Sequence, residues 1–88
     1  MFEFDSEKSA ANLVKHGIDF ETARELWLDS RAIEGDLGFL AESRRLRIGE
    51  IDGKYWTVIF TERGECIRII SARRARTIEA KAYDTQDN

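Results

Sequence analysis

The sequence predicts an α+β domain, in which a small antiparallel β-sheet is packed against two N-terminal helices and followed by a C-terminal helix. Three observations predict this fold. Polar and apolar residues alternate at Arg45-Leu46-Arg47-Ile48 within 43–51, which is the two-residue period of a half-buried strand, and an apolar run, Val58-Ile59-Phe60, follows within 54–61. Two turn signals, Asp52-Gly53 and Arg63-Gly64, separate these strands from one another and from a third strand. Residues that commonly cap helices, namely Asp5, Gly17 and Asp19, occur in the segment before the sheet.

The first helix is predicted over Glu7–His16. Asp5 or Ser6 can serve as its N-cap, and Gly17 can adopt the left-handed conformation that ends a helix. Its core-facing side is predicted to consist of its apolar residues, which are Ala10, Ala11, Leu13 and Val14.

A second helix is predicted to begin after the N-cap Asp19 and to end near Leu28-Asp29. Phe20, Ala23, Leu26 and Trp27 recur on one face at helical spacing. The elements predicted around these helices are an edge strand or packed tail at Met1–Phe4, a brief strand at Arg31–Glu34, and a loop at 35–41 into which Phe39-Leu40 tucks.

The sheet is predicted from Ser43–Ile51, the return strand Lys54–Thr61, and a third strand that begins at Cys66 and continues to Ile70. Ser71 is the predicted N-cap of the C-terminal helix, which runs from Arg73 to about Tyr83, and residues 84–88 are expected to fray.

Counting through even-length turns places the side chains of Trp56, Val58 and Phe60 on one face of the sheet, together with Ile67, Ile69 and Ser71. The same count puts Arg45 and Arg47 on this apolar face. Either a β-bulge shifts the first strand, or these arginines lie beyond the part of the face that the helices cover.

Composition and charge narrow the possible functions. The 88 residues are 42% hydrophobic and 35% charged, which suits one domain over 1–88. No apolar run approaches the roughly 20 residues of a membrane helix, and the acidic N-terminus lacks the features of a signal peptide, so we expect a cytoplasmic protein without membrane association. The single Cys66 forms no internal disulfide, and we expect no metal or other cofactor.

The net charge of −3 conceals a basic central region. Residues 43–76 carry 9 basic and 4 acidic side chains, whereas residues 1–42 carry 4 basic and 10 acidic ones. Because the local field matters more to a phosphate ligand than the total charge, this region predicts binding to RNA or to an acidic partner that weakens as salt rises. Ordinary solvated strand faces are the alternative interpretation.

Five motifs in order resemble the BrnT toxins of type II toxin–antitoxin systems. They are Phe2-Glu3-Phe4-Asp5, Lys15-His16-Gly17, Phe20-Glu21-Thr22-Ala23, Thr61-Glu62-Arg63-Gly64 and the run RIISARRA at 68–75. The resemblance implies a RelE-like fold and a metal-independent ribonuclease that blocks translation. It also implies a BrnA-like ribbon-helix-helix antitoxin that neutralises the toxin and binds operator DNA. A homodimer or a heterotetramer with the antitoxin is compatible with this resemblance.

Metal-free RNA cleavage needs a base for the 2′-hydroxyl, cations for the phosphorane and an acid for the leaving oxygen. Arg68, Arg73 and Arg74 are the predicted catalytic cations, because the planar guanidinium suits phosphate. Their alternative role is that of exposed arginines on a strand and at a helix start. We expect alanine at any one of the three to remove toxicity while the fold stays intact.

His16 and Glu62 are the candidate bases. Histidine is the side-chain type that changes charge near neutral pH, although a histidine also suits the C-terminus of a helix for electrostatic reasons. A glutamate beside a turn, such as Glu62, is common. The predicted RNA-binding residues are the basic ones around this set, namely Lys15, Arg47, Lys54, Arg63 and Arg76.

Two functions compete with that of an active toxin. One is a binding module of the same fold without catalysis, and the other is a small protein that oligomerises through its sheet. RNA cleavage by the purified chain separates the first of these from a toxin.

Overall fold

The computed structural model describes residues 1–38 and 43–86. Its elements are β1 (Phe2–Glu3), α1 (Ser6–His16), α2 (Phe20–Ala23), a 3₁₀ helix (Arg24–Leu28), β2 (Ile33–Asp36), β3 (Arg45–Ile51), β4 (Lys54–Arg63), β5 (Cys66–Arg74) and α3 (Thr77–Asp84). The predicted position of Phe39-Leu40 and the end of the predicted tail lie outside the described residues.

The strands form one sheet in the order β1-β5-β4-β3-β2. The pairs from β2 to β5 are antiparallel, whereas β1 pairs parallel to β5 with Phe2 opposite Ile67. Parallel pairing requires a long connection, and here two α-helices, the 3₁₀ helix and three further strands lie between β1 and β5 in the chain. The α+β prediction is therefore confirmed, with the difference that the sheet is mixed at one edge.

The side chains of β4 alternate between the two faces of the sheet. Trp56, Val58 and Phe60 lie on the face that packs against the N-terminal helices, which we call the inner face. Tyr55 and Thr57 lie on the outer face, where α3 contacts them. The core cluster on the inner face consists of Ile18, Phe20, Ala23, Leu26, Ile51, Trp56, Val58, Ile69 and Ala72.

The predicted ends of the two N-terminal helices are confirmed, and each of them is set by a capping residue close in the chain. The carboxylate of Asp5 accepts hydrogen bonds from the backbone N–H groups of Glu7 and Lys8 at 2.8 and 3.1 Å. Gly17 ends α1 with a φ of 82°, which a residue with a side chain rarely adopts. Asp19 caps α2, which tightens into the 3₁₀ helix and ends at Leu28 as predicted.

The predicted core-facing side of α1 is wrong. Ala10, Ala11, Leu13 and Val14 are all exposed, and the buried residues of α1 are Ser9 and Asn12. The hydroxyl of Ser9 accepts the backbone N–H of Phe20 at 2.9 Å. The amide of Asn12 donates to the carbonyl oxygens of Ile18 and Ala72, both at 2.8 Å. These polar contacts turn α1 so that its apolar side faces solvent.

The predicted start of the C-terminal helix at Ser71 is also wrong. β5 continues to Arg74 because its residues pair with the first half of β4, with Val58 opposite Ala72 and Trp56 opposite Arg74. A helix beginning at Ser71 would leave that half of β4 without backbone partners, which is costly in a buried strand. α3 begins instead at Thr77, after the N-cap Arg76.

The open question about Arg45 and Arg47 is decided by the register of β3. β3 pairs with β4 without interruption, so both arginines lie on the inner face. The irregularity falls between β4 and β5 instead, at Ile59 and Phe60, where Ile59 pairs with Ser71. This bulge moves Ser71 to the outer face, contrary to the predicted count.

Candidate functional site

The structure separates the three arginines that the sequence placed in one catalytic group. Arg73 and Arg74 are consecutive strand residues, so their side chains lie on opposite faces of the sheet. Arg74 pairs with Trp56 on the inner face, and Arg73 pairs with Thr57 on the outer face. Arg68 pairs with Thr61, about 20 Å along the strand from Arg74. At most two of the three can therefore contact one phosphate.

Arg73 is occupied by an ion pair within the protein. Its two Nη atoms lie 2.8 and 2.9 Å from the two carboxylate oxygens of Glu79 in α3. The same carboxylate accepts hydrogen bonds from Thr57 Oγ1 and from the backbone N–H of Arg76. The Arg73 guanidinium and these hydrogen bonds lower the pKa of Glu79 to about 2. The ion pair between Arg73 and Glu79 therefore holds α3 against the outer face of the sheet.

Arg74 presents its guanidinium to solvent. Its Cζ lies 5.4 Å from the centroid of the Trp56 ring, and the residue is exposed. This cation–π contact with the indole uses none of the N–H donors of the guanidinium. The donors therefore remain available for a phosphate.

The end of α1 reaches the same corner of the sheet. α1 begins beside Arg68, whose charge lowers the pKa of Asp5 in addition to the dominant backbone N–H bonds of Lys8 and Glu7. Further along α1, Asn12 binds Ala72. The helix thus runs in the same direction as β5, and its last residues, Lys15 and His16, lie towards the end of β5 that carries Arg74.

A shallow groove joins the end of α1 to the start of β4. It has a volume of about 230 Å³, and its lining includes Leu13, Gly17, Ile18, Lys54 and Trp56. Asp19 and Asp52 also line this groove. Asp19 is engaged as the cap of α2, and the backbone N–H of Thr22 is the main reason that its pKa is lowered.

We call this region the Arg74 corner and define it by Lys15, His16, Lys54, Trp56 and Arg74. Among residues 1–38 and 43–86, no carboxylate forms an ion pair with Lys15, Lys54 or Arg74. Arg76 follows two residues after Arg74 and is exposed, with its backbone N–H bound to Glu79. The corner therefore combines an aromatic ring with cations that form no ion pair, beside a groove that also contains Asp19 and Asp52. Unpaired cations next to an aromatic ring suit a phosphate ester with a neighbouring base.

The remaining predicted site residues lie elsewhere. Arg47 donates to Glu34 at 2.6 Å and to the carbonyl oxygen of Leu26 at 3.0 Å, and its guanidinium stacks on Trp27. These contacts make Arg47 a structural link between the sheet and the 3₁₀ helix. The prediction that it binds RNA stays a prediction.

Arg68, Glu62 and Arg63 lie away from the Arg74 corner. Arg68 is half-buried on the outer face, 3.6 Å from the carboxylate of Glu3. Glu62 and Arg63 are exposed at the end of β4 next to the turn at Gly64, and Glu62 lies 3.9 Å from Arg45. From the predicted set, the structure thus places Arg74 over Trp56 and Lys54 in the groove that Trp56 lines, and Lys15 and His16 lie at the adjoining end of α1. Glu62 lies at the other end of β4.

Sequence reasoning missed two residues that build the corner. Asn12 fixes α1 against β5, and Trp56 supports Arg74. The signal for Asn12 was a polar residue on the opposite side of α1 from four apolar ones. The signal for Trp56 was its position on β4, but its partner Arg74 was expected to lie in a helix.

Neither a metal centre nor a membrane segment is found in the part of the chain that the structure describes. No group of three or more His, Cys, Asp or Glu side chains is arranged there to hold a metal ion. A membrane-spanning segment is likewise not found among the helices of residues 1–38 and 43–86.

A family model described as "Ribonuclease toxin, BrnT, of type II toxin-antitoxin system" matches residues 4–79. The chain belongs to this BrnT family. The match confirms the predicted resemblance, and it includes every residue of the Arg74 corner. No protein in the curated set matches the chain. A BrnT ribonuclease toxin must contact RNA, and a member of a type II system has an antitoxin partner, so both ligands need a place on this surface.

Proposed function

We propose that this BrnT-family chain is an active endoribonuclease that cleaves RNA at the Arg74 corner without a metal ion. The observation that carries the proposal is that Arg74 lies over Trp56, and Lys54 lines the same groove as Trp56. Lys15 and His16 end α1 immediately before Gly17, which also lines this groove. Among the described residues, Lys15, Lys54 and Arg74 have no carboxylate partner. A cluster of this kind attracts the phosphate backbone even though the net charge of the chain is negative.

The residues of the corner supply the groups that the reaction requires. His16 takes the proton of the 2′-hydroxyl, and the 2′-oxygen then attacks phosphorus. The guanidinium of Arg74 stabilises the extra negative charge on the phosphorane oxygens. The bond from phosphorus to the 5′-oxygen breaks, and Lys54 supplies the proton that this oxygen takes up. The products are a 2′,3′-cyclic phosphate and a 5′-hydroxyl.

The ring of Trp56 gives the corner a means of holding RNA in place. Its inner side belongs to the core cluster, and its other side supports the guanidinium of Arg74. An arginine that already rests on an aromatic ring loses less side-chain freedom when it binds a phosphate. Lys15 adds positive charge from the end of α1 and is proposed to bind the RNA backbone.

We further propose the biological setting of this activity. Cleavage of messenger RNA in the cytoplasm inhibits translation, and a ribbon-helix-helix antitoxin neutralises the toxin and binds operator DNA. The family match supports these proposals by the class of system to which the chain belongs.

The test is cleavage of a 5′-labelled single-stranded RNA by the purified chain in the presence of EDTA. We expect fragments that end in a 2′,3′-cyclic phosphate, with a rate that falls as salt rises. Intact RNA under all conditions would favour the alternative of a non-catalytic binding module. Cleavage that stops in EDTA would contradict metal independence. Growth arrest on expression is the matching test in cells.

A further inference from the structure

The groove beside the Arg74 corner contains two carboxylates, those of Asp19 and Asp52, that the proposed reaction does not use. Asp19 is engaged by the fold, because its Oδ1 accepts the backbone N–H of Thr22 at 2.8 Å as the cap of α2. Asp52 is exposed, and its carboxylate makes no hydrogen bond or ion pair with any of residues 1–38 and 43–86. Both oxygens of Asp52 are therefore available to a ligand.

Asp52 is held in position by the tight turn between β3 and β4. Its φ is 51° and that of Gly53 is 79°, so both central residues of the turn are in the left-handed region, as in a type I′ turn. Ile51 and Lys54 pair directly on either side of the turn. This two-residue loop therefore presents a carboxylate and a neighbouring cation from a defined place at the edge of the groove.

The rest of the groove suits a flat apolar ring. Its apolar lining consists of Leu13, Ile18, Ile51 and Trp56, and its volume is about 230 Å³. Sites for drug-sized ligands have volumes of roughly 300–1,000 Å³, so this groove has the size for a single ring system. Arg74 pairs with Trp56 in the neighbouring strand, about 5 Å away. A phosphate at Arg74 and a ring in the groove can thus belong to one nucleotide.

We propose that this groove binds a guanine base of the RNA substrate and that Asp52 recognises it. The N1–H and the N2 amino group of guanine are adjacent donors on its Watson–Crick edge, and the two oxygens of an ionised carboxylate can accept both. Lys54 and Arg74 attract the phosphate of the same nucleotide. The inference rests on the proposed function in placing this phosphate at the Arg74 corner.

Other occupants match the groove less well. Adenine and cytosine each present an amino group beside an acceptor nitrogen, and uracil presents one N–H between two carbonyl oxygens, so each would turn an acceptor towards an oxygen of Asp52. A cationic side chain of another protein would satisfy Asp52 but would be repelled by Lys54 and Arg74. A guanine nucleotide supplies both an anionic group for the cations and two donors for the carboxylate.

The experiment replaces the carboxylate of Asp52 with an amide. Asparagine suits a type I′ turn as well as aspartate does, so Asp52→Asn keeps the hairpin while one acceptor becomes a donor. Glu50→Gln is the matched control, because it removes an exposed negative charge two residues away on the outer face. RNA of random sequence is cleaved by each chain, and sequencing of the fragment ends gives the base on either side of the cut.

We expect the parent chain to prefer guanine over adenine by about 10- to 100-fold at one of these two positions, as is typical of a two-point contact with a base. Asp52→Asn should reduce this preference to within about threefold, whereas Glu50→Gln should retain it. Inosine in place of guanosine lacks only the N2 amino group. It should slow cleavage by the parent chain about tenfold and leave the rate of Asp52→Asn unchanged.

Binding of the four nucleoside 3′-monophosphates, measured by calorimetry, tests the same contact without cleavage. The parent chain should bind the guanosine nucleotide at least about tenfold more tightly than the adenosine nucleotide, and Asp52→Asn should not. Selective binding by a chain that cleaves no RNA would overturn the proposed function and leave this inference standing.

Three results would overturn the inference itself. They are equal binding of all four nucleotides by the parent chain, a guanine preference that survives in Asp52→Asn, and a fall in the rate of Asp52→Asn on every RNA with the preference intact. The last result would assign Asp52 a general role in the reaction. Thermal unfolding of both variants checks that they are folded.

Discussion

Arg73 at the end of β5 and Glu79 in the first turn of α3 form a two-point ion pair, with N–O distances of 2.8 and 2.9 Å. The side chain of Glu79 is only 13% exposed. Its carboxylate also accepts the hydroxyl of Thr57 and the backbone N–H of Arg76. The pair raises the pKa of Arg73 and lowers that of Glu79, so each partner favours the charged state of the other. Arg73 therefore contributes to the stability of the fold.

Replacing Arg73 with alanine is expected to lower the free energy of unfolding by about 2–3 kcal/mol. The reason is that the substitution leaves the mostly buried carboxylate of Glu79 without its counter-ion. Arg74→Ala is the matched control, because the exposed guanidinium of Arg74 rests on Trp56 and forms no ion pair among the described residues, so that its loss should cost less than about 1 kcal/mol. Urea unfolding followed by fluorescence measures both values. Equal small losses in the two variants would contradict the structural role of Arg73.

The pH dependence of stability should report the same ion pair. The pKa of Glu79 lies at about 2 in the folded protein, against an ordinary value of 4.5. A depressed folded pKa means that the contribution to stability is fully present above about pH 4.5 and is lost as the pH falls towards 2. The contribution is on the order of 2–3 kcal/mol, since one pKa unit corresponds to about 1.4 kcal/mol and coupled pairs deliver less than the full shift.

Glu79→Gln isolates this contribution from that of the other carboxylates with lowered pKa values. The variant should be less stable than the parent chain at pH 7, and the two unfolding free energies should converge as the pH approaches 2. Urea titrations between pH 7 and 2.5 measure the difference. A difference that stays constant over this range would show that Glu79 titrates normally in the folded protein.

Asn12 is expected to be the most sensitive residue of α1. Asn12→Ala removes the donor to the carbonyl oxygens of Ile18 and Ala72 and the acceptor of the backbone N–H of Ala72. It should lower the free energy of unfolding by about 2–3 kcal/mol, because three buried hydrogen bonds are lost. Val14→Ala on the exposed side of the same helix should change it by less than about 0.5 kcal/mol. Thermal or urea unfolding of both variants is the measurement. Equal effects would mean that α1 packs through its apolar side after all.

The contrast between these two residues shows what the sequence could and could not predict about the fold. The ends of α1 were predicted because capping involves residues at most four positions apart, as with Asp5 and Lys8. The orientation of α1 was not, because it depends on a hydrogen bond between Asn12 and Ala72, sixty residues away. An apolar side normally faces the core, and here a few buried polar contacts override that pattern.

The same reasoning explains the outcome at the candidate site. The sequence predicts one catalytic group for Arg73 and Arg74 because they are adjacent in the chain. If a helix began near Ser71, their side chains could lie on the same side of the sheet. Once β5 extends to Arg74, the two-residue period of the strand sends Arg73 and Arg74 to opposite faces. β5 extends to Arg74 because it pairs with β4. The residues near Ser71 that suggest a helix cap do not predict this pairing. The positive charge of residues 43–76 was predictable from the sequence. Which of its arginines form ion pairs, as Arg73 does, and which do not, as with Arg74, was not.

The last prediction concerns the activity of the Arg74 corner. Arg74→Ala should lower the rate of RNA cleavage by about 10²–10³, the loss typical of removing one preorganised donor to the transition state. Arg74→Lys keeps the charge but not the planar fork that stacks on Trp56, so we expect an intermediate rate. Lys81→Ala, which removes an exposed positive charge from α3, is the matched control and should retain the parent rate within about threefold.

Arg68→Ala discriminates between this corner and the outer face of the sheet. Arg68 lies beside Glu3 and about 20 Å along β5 from Arg74, so its loss should lower cleavage far less than the loss of Arg74 if the chemistry occurs at the corner. Single-turnover cleavage with saturating protein gives the rate of the chemical step, and the salt dependence of Kd gives the number of phosphates that each cation neutralises. A full rate in Arg74→Ala together with a large loss in Arg68→Ala would move the active site to the outer face. Because Arg74 carries no ion pair among the described residues, its loss should leave the melting temperature nearly unchanged, and any fall in rate then belongs to the reaction itself.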